Sequence, residues 1–350
     1  MITTAQKKIA IAGCGSITTS CHLPAALRSS KVIVQALVDA NMQNALKLRS
    51  AFGLNCKTAS RLVDVVGEVD AVVVATPNHA HFPVAQEALS HGLPVLVEKP
   101  ITTRYADAVK LCEMAEEKGL VIAVGYKSRF YPAVILLRYL LEQRYMGRLK
   151  SFYYEFGSRG GSEPLSGYNI RRATAGGGAL LNSATHFLDR MLYWFGEPKR
   201  VRYFDDNHGG LESTCKAEFE FDNDLGAFTG ELFVSQAMKL RNIFVVETEN
   251  YVCEIGDTQT DSVTLMPRSQ PELRLEVFPH AGCIASPSKD YFQTQLEDFV
   301  EAICSGRRPR VDGRFGARSI LLIEEIYRQR RELPEPWMLW REKVGTVHGK

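Results

Sequence analysis

The sequence predicts an α/β protein with two domains: a doubly wound parallel sheet at residues 1–127 and an α+β domain with a large, mostly antiparallel sheet at 128–350. Two observations lead to this prediction. Apolar, strand-like runs alternate with helix-like segments through the first third of the chain, as they do in right-handed βαβ units. After Tyr126 that alternation stops, and runs with partial two-residue periodicity follow without helices of useful length between them.

Five apolar runs predict the parallel strands of the first domain. The run at 69–77, VDAVVVATP, has no polar alternation, which favours a central position in the sheet. Ligands of such sheets bind beyond the carboxyl ends of the strands, so we expect the loops that follow the strands to converge there. The five runs span 8–13, 32–39, 69–77, 94–100 and 120–126.

The run PVLVEKP at 94–100 ends in charged residues. Residues 95–97 suit a strand buried on both faces, yet Glu98 and Lys99 follow at once and Pro100 ends the ladder. This order places the Lys99 ammonium at the ligand edge of the predicted sheet.

The motif GCGSIT at 13–18 follows the first strand and opens a helix, which predicts a nucleotide-binding turn. Gly13 is expected to make the tight turn, and Gly15 to let backbone amides approach a pyrophosphate at the helix N-terminus. Thr18 stands where the fingerprint usually has glycine or alanine, so we expect some loss of closeness between helix and strand. A plain βα turn is the alternative interpretation of so degenerate a motif.

Asp39 ends the second predicted strand, where its carboxylate can accept hydrogen bonds from the adenosine ribose hydroxyls. The same charge would repel a 2′-phosphate, and no arginine or lysine follows before Lys47. These features favour NAD over NADP. A solvated acid at the end of a strand is the alternative.

The second domain begins with a predicted helix at 130–147, a strand at 149–157 and, after a glycine-rich loop, a helix at 179–195. Six runs with partial alternation predict further strands, with one face of the sheet packed on helices and the other face a possible subunit interface. Amphipathic helices are predicted at 290–306 and 315–333. The six runs span 199–206, 214–222, 227–236, 241–249, 251–256 and 272–278.

Composition excludes several classes of protein. A net charge of +2 gives no bulk field for nucleic acid or an anionic membrane, and no apolar run approaches the roughly 20 residues that span a bilayer. None of the eight cysteines forms a CxxC pair, so we expect reduced thiols and no metal site. The short polar segment before the first strand lacks the apolar core of a secretory signal. We therefore expect a cytoplasmic protein.

Four motifs, in this order and spacing, resemble the glucose–fructose oxidoreductase, inositol dehydrogenase and rhizopine-catabolism family, Gfo/Idh/MocA. They are GCGSIT with HLPAAL after it, ATPNHAHFPVAQEALSHGLPVLVEKP, GGGALLNSATHFLDRMLYWFG and QLEDFVEAICSGRRPRVDG. The resemblance covers nearly the whole chain. It implies a Rossmann domain, an open-faced α/β domain, and a homodimer or homotetramer. It also implies redox chemistry with a nicotinamide cofactor on one carbon of a sugar, cyclitol or nucleotide sugar.

The resemblance puts Lys99 in the position of the E-K-P lysine, near the nicotinamide and the reacting hydroxyl, and His186 in the position of the catalytic histidine. The family pattern G-G-G-x-L-x-D-x-G-x-H-x-x-D reads GGGALLNSATHFLD here, so Asn182 replaces an aspartate and Ala184 a glycine, while Asp189 keeps the final acid. Residues 182 and 186 share one helix face. Asn182 can orient the imidazole or contact substrate hydroxyls but supplies no charge, so we expect His186 to be a weaker base than in relatives.

The remaining site residues are weaker candidates. Tyr126, Arg129, Tyr168 and Arg171 are expected to hold substrate hydroxyls or a phosphate, with the alternative that they are rim residues without a special role. The glycines at 176–178 suggest a close approach of backbone to substrate. His81 either contacts the cofactor or helps to start a helix. The predicted cofactor-binding residues are Gly13, Gly15, Ser16, Ile17, Asp39, Thr76, Pro77, Asn78, His81, Glu98 and Lys99.

The expected chemistry is hydride transfer from a secondary alcohol, with His186 taking the hydroxyl proton and Lys99 stabilising charge on the same oxygen. Asn182 leaves open a preference for carbonyl reduction, a changed proton relay or a different substrate class. Three other functions also stay open: a cofactor-sensing regulator without activity, an enzyme that retains NAD and modifies glycosidic bonds, and a reductase of non-sugar carbonyls or imines.

Overall fold

The computed structural model describes residues 6–158, 167–256, 261–280 and 290–333. The first domain contains six strands, β1 Lys7–Ala12, β2 Val32–Val38, β3 Lys57–Ala59, β4 Ala71–Val74, β5 Val95–Val97 and β6 Ile122–Val124. Its helices are α1 Leu23–Arg28, α2 Met42–Ala51, α3 Asn78–Ser90 and α4 Tyr105–Glu117. All strand pairings are parallel, in the order β3-β2-β1-β4-β5-β6.

The predicted doubly wound parallel sheet is confirmed, and β4 has the interior position that its apolar sequence predicts. All four residues of β4 are buried, which explains the absence of polar alternation. The strand order reverses between β1 and β4, so the crevice at their carboxyl ends is the topological switch point of this sheet. The edge strand β3 was missed because three residues, Lys-Thr-Ala, carry no apolar pattern.

The second domain has nine strands in the order β14-β13-β12-β11-β7-β10-β9-β8-β15. Most neighbours are antiparallel, as predicted, but β10 pairs with β7 and β15 with β8 in parallel. The strands are β7 Leu149–Gly157, β8 Arg200–Asp205, β9 Thr214–Asn223, β10 Gly226–Ser235, β11 Ile243–Thr248, β12 Tyr251–Gly256, β13 Val263–Pro267, β14 Leu275–Val277 and β15 Arg330–Glu332. The helices are α5 Pro132–Glu142, α6 Arg172–Ala175, α7 Thr185–Phe195, α8 Tyr291–Ser305 and α9 Gly313–Arg328.

Helix α7 lies on the inner face of this sheet through stacked aromatic rings. The Phe187 ring stacks on Tyr154 of β7 with centroids 4.0 Å apart, and Trp194 stacks on Phe244 of β11 at 4.8 Å. The Trp194 indole also donates to the Val134 carbonyl of α5. Aromatic pairs of this kind fix orientation as well as burying area. The start of α7 is therefore held in a fixed position relative to the sheet.

The two C-terminal helices return to the first domain. Phe299 of α8 is fully buried in the same core as Ile9 and Ile11 of β1. A Cβ at Gly316 of α9 would lie 2.7 Å from a methyl carbon of Val124, which shows how closely this helix approaches β6. The domain division at residue 127 stays a prediction, since these helices follow the second sheet in the chain but also pack against the first domain. Within the described ranges, no helix is both long and apolar enough to cross a membrane.

Candidate functional site

The glycine turn after β1 is fixed by close packing. Gly13 has φ +98°, and a Cβ there would lie 2.4 Å from the Ala75 carbonyl oxygen, so only glycine fits. A Cβ at Gly15 would meet no protein atom within 4 Å. The buried Thr18 hydroxyl donates to the Gly13 carbonyl at 2.5 Å, which connects the start of the helix to the turn. The expected loss of closeness between helix and strand stays a prediction. The helix after the turn begins with a π-helical segment, Thr18–His22.

Asp39 connects the end of β2 to this turn. One carboxylate oxygen accepts from the Cys14 backbone N–H at 2.8 Å. The other accepts from the Asn41 backbone N–H at 2.9 Å and from the Asn44 side chain at 3.2 Å. Asp39 is half-buried, so it combines a structural role with access to the edge where a ribose would bind. The predicted cofactor residues Ser16, exposed, and Ile17, half-buried, lie in the same turn.

The loop after β4 brings three predicted cofactor residues to the same edge. The Thr76 hydroxyl oxygen is buried and has no hydrogen-bond partner within the described part of the chain. Pro77 precedes α3, and the buried Asn78 side chain donates to the Ala175 carbonyl at 3.0 Å, which joins the two domains. An orphaned buried hydroxyl beside a glycine turn fits a nucleotide site.

Two predicted cofactor contacts are corrected by hydrogen bonding within the protein. Both ring nitrogens of His81 face backbone carbonyls, Pro100 at 2.7 Å and Thr76 at 2.8 Å, so this buried ring holds two loops together. Both carboxylate oxygens of Glu98 are also engaged, one by His22 and the other by the Lys99 backbone N–H. Their side chains support the edge of the sheet and do not present free polar atoms to a ligand.

Lys99 and the segment that carries His186 meet at the boundary of the two domains. The Lys99 ammonium donates to the Asn182 backbone carbonyl at 3.2 Å. The predicted helix at 179–195 is confirmed, but its first part, Leu180–Ala184, is π-helical and α7 begins at Thr185. Such π-helical segments often occur at functional sites.

Burial and neighbouring cations lower the pKa of both Lys99 and His186. Burial lowers the pKa of His186 well below its ordinary value, and Lys99, Lys127 and Arg190 lower it further. The His186 Nδ1 atom is buried without a hydrogen-bond partner among the described residues. Burial also lowers the pKa of Lys99, while the Glu98 carboxylate opposes that shift. His186 is therefore a neutral imidazole at neutral pH, with a ring nitrogen available to accept a proton.

The predicted substrate contacts of Tyr126 and Arg129 are wrong because both side chains are buried. Tyr126 is 0% exposed, its hydroxyl is hydrogen-bonded to Thr185 at 2.9 Å, and its ring lies edge-on to His186 with centroids 5.9 Å apart. Arg129 is 3% exposed and forms an ion pair with Asp189, N to O 3.7 Å. These residues support α7 from beneath, and burial raises the pKa of Asp189 to about 6 although Arg129 opposes this.

Tyr168 and Arg171 lie on the loop that precedes α6. Tyr168 is half-buried, and burial followed by the nearby Glu98 charge raises the pKa of its hydroxyl. This interaction places Tyr168 on the Lys99 side of the cleft. Arg171 is exposed. Substrate binding by these two residues stays a prediction.

Sequence reasoning missed Glu212, which caps the segment bearing Asn182. Its buried carboxylate accepts from the backbone N–H groups of Gly178 at 3.1 Å and Leu180 at 3.0 Å, and from the Tyr327 hydroxyl at 2.6 Å. A carboxylate here satisfies donors at the start of a helix and complements its dipole. No local pattern identifies a lone glutamate as a cap for residues 32 and 34 positions earlier in the chain.

The glycines before this helix are explained by the same cap. A Cβ at Gly178 would lie 2.1 Å from the Glu212 carbonyl oxygen, and a Cβ at Gly177 would lie 2.4 Å from the Tyr327 hydroxyl. The close approach predicted at 176–178 therefore exists, but it is to Glu212, Tyr327 and, for Gly176, Thr103. Backbone contact with substrate is not needed to explain these glycines.

Two sequence profiles of one family match the chain. The oxidoreductase family with an NAD-binding Rossmann fold matches residues 7–126, and the GFO/IDH/MocA C-terminal domain matches residues 134–252. The chain belongs to the Gfo/Idh/MocA oxidoreductase family. The family resemblance carried by the sequence motifs is confirmed, and with it the assignment of the chain as an oxidoreductase with a nicotinamide-nucleotide-binding domain.

Curated members of the Gfo/Idh/MocA family include sugar-modifying enzymes. The rhizopine catabolism protein MocA of Rhizobium meliloti is 29% identical over 87% of this chain and 89% of its own. A dTDP-3,4-didehydro-2,6-dideoxy-alpha-D-glucose 3-reductase of Streptomyces violaceoruber is 31% identical over 56% of each chain.

Solved structures confirm the fold. Levoglucosan dehydrogenase in complex with NADH and levoglucosan superposes with a TM-score of 0.79 at 20% identity, covering 93% of this chain and 97% of its own. A 3-ketoreductase of Actinomadura kijaniata in complex with NADP and TDP-benzene gives 0.79 at 19% identity, covering 94% and 99%. Since these two structures hold different nicotinamide nucleotides, the fold alone does not select one.

We predict that Glu212→Gln destabilises the protein by about 1–2 kcal/mol, because an amide NH2 group then replaces one of the two oxygens that face the Gly178 N–H and cannot accept from it. The urea midpoint of unfolding measures this. Glu272→Gln, at an exposed position, is the matched control and is expected to leave the midpoint unchanged. An equal midpoint for Glu212→Gln and wild type would contradict the capping role.

Proposed function

We propose that this protein is an NAD-dependent oxidoreductase that interconverts a secondary hydroxyl and a ketone on a sugar, nucleotide sugar or cyclitol. Lys99 and His186 are the proposed catalytic pair. The observation that carries the proposal is the junction at which the Lys99 ammonium bonds to the Asn182 carbonyl, one turn before a neutral histidine with a free buried nitrogen. The sugar-directed names of the relatives support the substrate class.

In the oxidation direction, His186 accepts the proton of the substrate hydroxyl as general base. The Lys99 ammonium donates a hydrogen bond to the same oxygen and stabilises the negative charge that develops on it. Bound NAD supplies the acceptor for the hydride that leaves the carbon. Low water access strengthens the Lys99 interaction, and the strand behind Lys99 fixes its position. In the reduction direction the same two groups act with the proton transfer reversed.

Asn182 determines the basicity of His186 in this proposal. No acid among the described residues raises the pKa of His186, and three cations lower it. An aspartate at position 182 would oppose these cations and stabilise the imidazolium. With asparagine, the ring stays unprotonated at neutral pH, which makes it available as a base but weak in that role. Orientation of the ring rests on Tyr126, whose edge-on ring packs against it.

NAD is the proposed cofactor, and Asp39 supports this choice. Its half-buried carboxylate is anchored beside the glycine turn, at the end of β2, where it can accept from ribose hydroxyls and repel a 2′-phosphate. The predicted homodimer or homotetramer and the cytoplasmic location stay predictions.

We predict that Lys99→Met and His186→Asn each lower kcat/KM for sugar oxidation by roughly 100-fold or more, because each removes a group that acts on the reacting oxygen. Steady-state assays at 340 nm against a panel of polyols, cyclitols and nucleotide sugars measure this. NADH affinity is expected to change little in His186→Asn, which locates its defect in the chemistry. The exposed residues Lys150 and His91 provide matched controls, Lys150→Met and His91→Asn. Near-normal kcat/KM in both site variants would contradict the proposed pair.

We predict that wild type prefers NADH to NADPH and that Asp39→Asn reduces this preference by about tenfold, equivalent to about 1.4 kcal/mol. Asparagine keeps an oxygen that can accept from Cys14 and removes the charge that repels a 2′-phosphate. Fluorescence titration of both nucleotides measures the ratio of the two dissociation constants. An unchanged ratio in Asp39→Asn would show that another residue selects the cofactor.

A further inference from the structure

A buried histidine–glutamate pair lies directly behind Lys99. His22, from the π-helical segment before α1, places its Nε2 atom 2.8 Å from a carboxylate oxygen of Glu98. His22 is 4% exposed and Glu98 is 7% exposed. The second oxygen of Glu98 accepts from the backbone N–H of Lys99 at 3.0 Å. The glutamate thus connects the helix after the glycine turn to Lys99.

The surroundings are shaped to hold this pair. A Cβ at Gly125 would lie 2.9 Å from a Glu98 carboxylate oxygen, so glycine leaves the room that the carboxylate occupies. Phe292 of α8 packs edge-on against the His22 ring with centroids 5.1 Å apart, and the Lys127 ammonium lies 4.7 Å above the same Phe292 ring. Such buried pairs often add little to the free energy of unfolding, because the cost of desolvation offsets their attraction. Stability alone therefore does not explain this pair.

We propose that His22 and Glu98 are positioning residues for Lys99: the pair fixes a negative charge behind the catalytic lysine, and that charge keeps the Lys99 ammonium protonated within the cleft. The inference rests on the proposed function, because it assigns the role through Lys99. His22 is required since a buried carboxylate without a partner would take up a proton and lose its charge.

The charges around Lys99 support this role. Lys127 from the segment after β6, His186 from α7 and His81 from α3 all interact with Lys99 electrostatically, and none of them is acidic. The neighbouring polar atom on the other domain is the neutral Asn182 carbonyl oxygen. Burial lowers the pKa of Lys99, Glu98 raises it, and Lys127 lowers it again. Glu98 is therefore the acid that opposes deprotonation of Lys99.

His22 keeps Glu98 in its charged form. Burial raises the pKa of Glu98, but its interactions with His22 and Lys99 outweigh burial and hold that pKa below its usual range. Without the Glu98 charge, the pKa of Lys99 moves further down. Lys99 then loses its proton at a lower pH, and the alkaline limb of the activity profile moves to lower pH with it.

The test measures the titration of Lys99 without relying on catalysis. Trace acetylation with acetic anhydride at a series of pH values, read by mass spectrometry of the peptide that contains Lys99, gives the pH midpoint of that amine. We expect Glu98→Gln to lower the midpoint by about 1–3 pH units, the range for loss of an adjacent opposite charge. Glu113→Gln, at an exposed position on α4, is the matched control and is expected to leave the midpoint unchanged.

The double variant His22→Gln/Glu98→Gln separates electrostatics from structure. Two amides can keep a hydrogen bond in place of the one between His22 and Glu98, so the double variant is expected to unfold at nearly the wild-type urea concentration. Its Lys99 midpoint is still expected to lie below that of wild type. His22→Gln alone is expected to lower the Lys99 midpoint by a smaller amount. This variant provides the test if Glu98→Gln does not fold. A wild-type Lys99 midpoint in folded Glu98→Gln and in the double variant would overturn the proposal.

A pH profile of kcat/KM then extends the test to activity. We expect the alkaline limb of Glu98→Gln to lie at lower pH than that of wild type, a shift that a merely structural role would not produce. If Lys99 titrates low in the variants but wild type oxidises no sugar or cyclitol with either nucleotide, the proposed function fails and the electrostatic role of the pair stands. A low midpoint together with an unmoved alkaline limb in an active enzyme would overturn the catalytic part of the inference.

Discussion

The hydrogen bond from the Lys99 ammonium to the Asn182 carbonyl oxygen is the contact on which the site depends, because it joins the two domains where the proposed chemistry occurs. Each side of this contact is held by its own domain. The strand β5 that precedes Lys99 is buried between β4 and β6, and the helix that carries His186 is stacked on the second sheet through Phe187 and Trp194. Two rigid elements therefore bring one polar group each to a single cleft, as a preorganised site requires.

Buried charge is distributed in an uneven way around this contact. Lys99, Lys127 and His186 influence one another on the cleft side, while the acids are engaged behind it: Glu98 by His22, and Asp189 by Arg129. Burial lowers the pKa of both Lys99 and His186. The arrangement suits the proposed chemistry, since a neutral imidazole can take the hydroxyl proton while an ammonium donates a hydrogen bond to the same oxygen. The replacement of an aspartate by Asn182 is part of the same balance.

Much of this could be predicted from the sequence, because the signals involved are local. Apolar runs predicted the parallel strands, and the motif around Lys99 and His186 predicted their place in the family. Burial of Tyr126 and Arg129 could not be predicted, because the sequence pattern of a polar residue after a strand is the same whether its side chain points into a cleft or lies beneath a helix. The partners His22 and Glu212 were missed for a related reason. Their contacts join residues 76 and 34 positions apart, and periodicity reports only which face of an element is buried.

A crystal structure of the protein with NADH and a bound cyclitol or sugar is the most direct test of the central claim. The account predicts that the nicotinamide ring lies over the carboxyl ends of β4 and β5, with a substrate hydroxyl within hydrogen-bond distance of both the Lys99 ammonium and a His186 ring nitrogen. If the nicotinamide lay away from Lys99, or if the substrate hydroxyl facing it contacted neither Lys99 nor His186, the catalytic assignment would be contradicted.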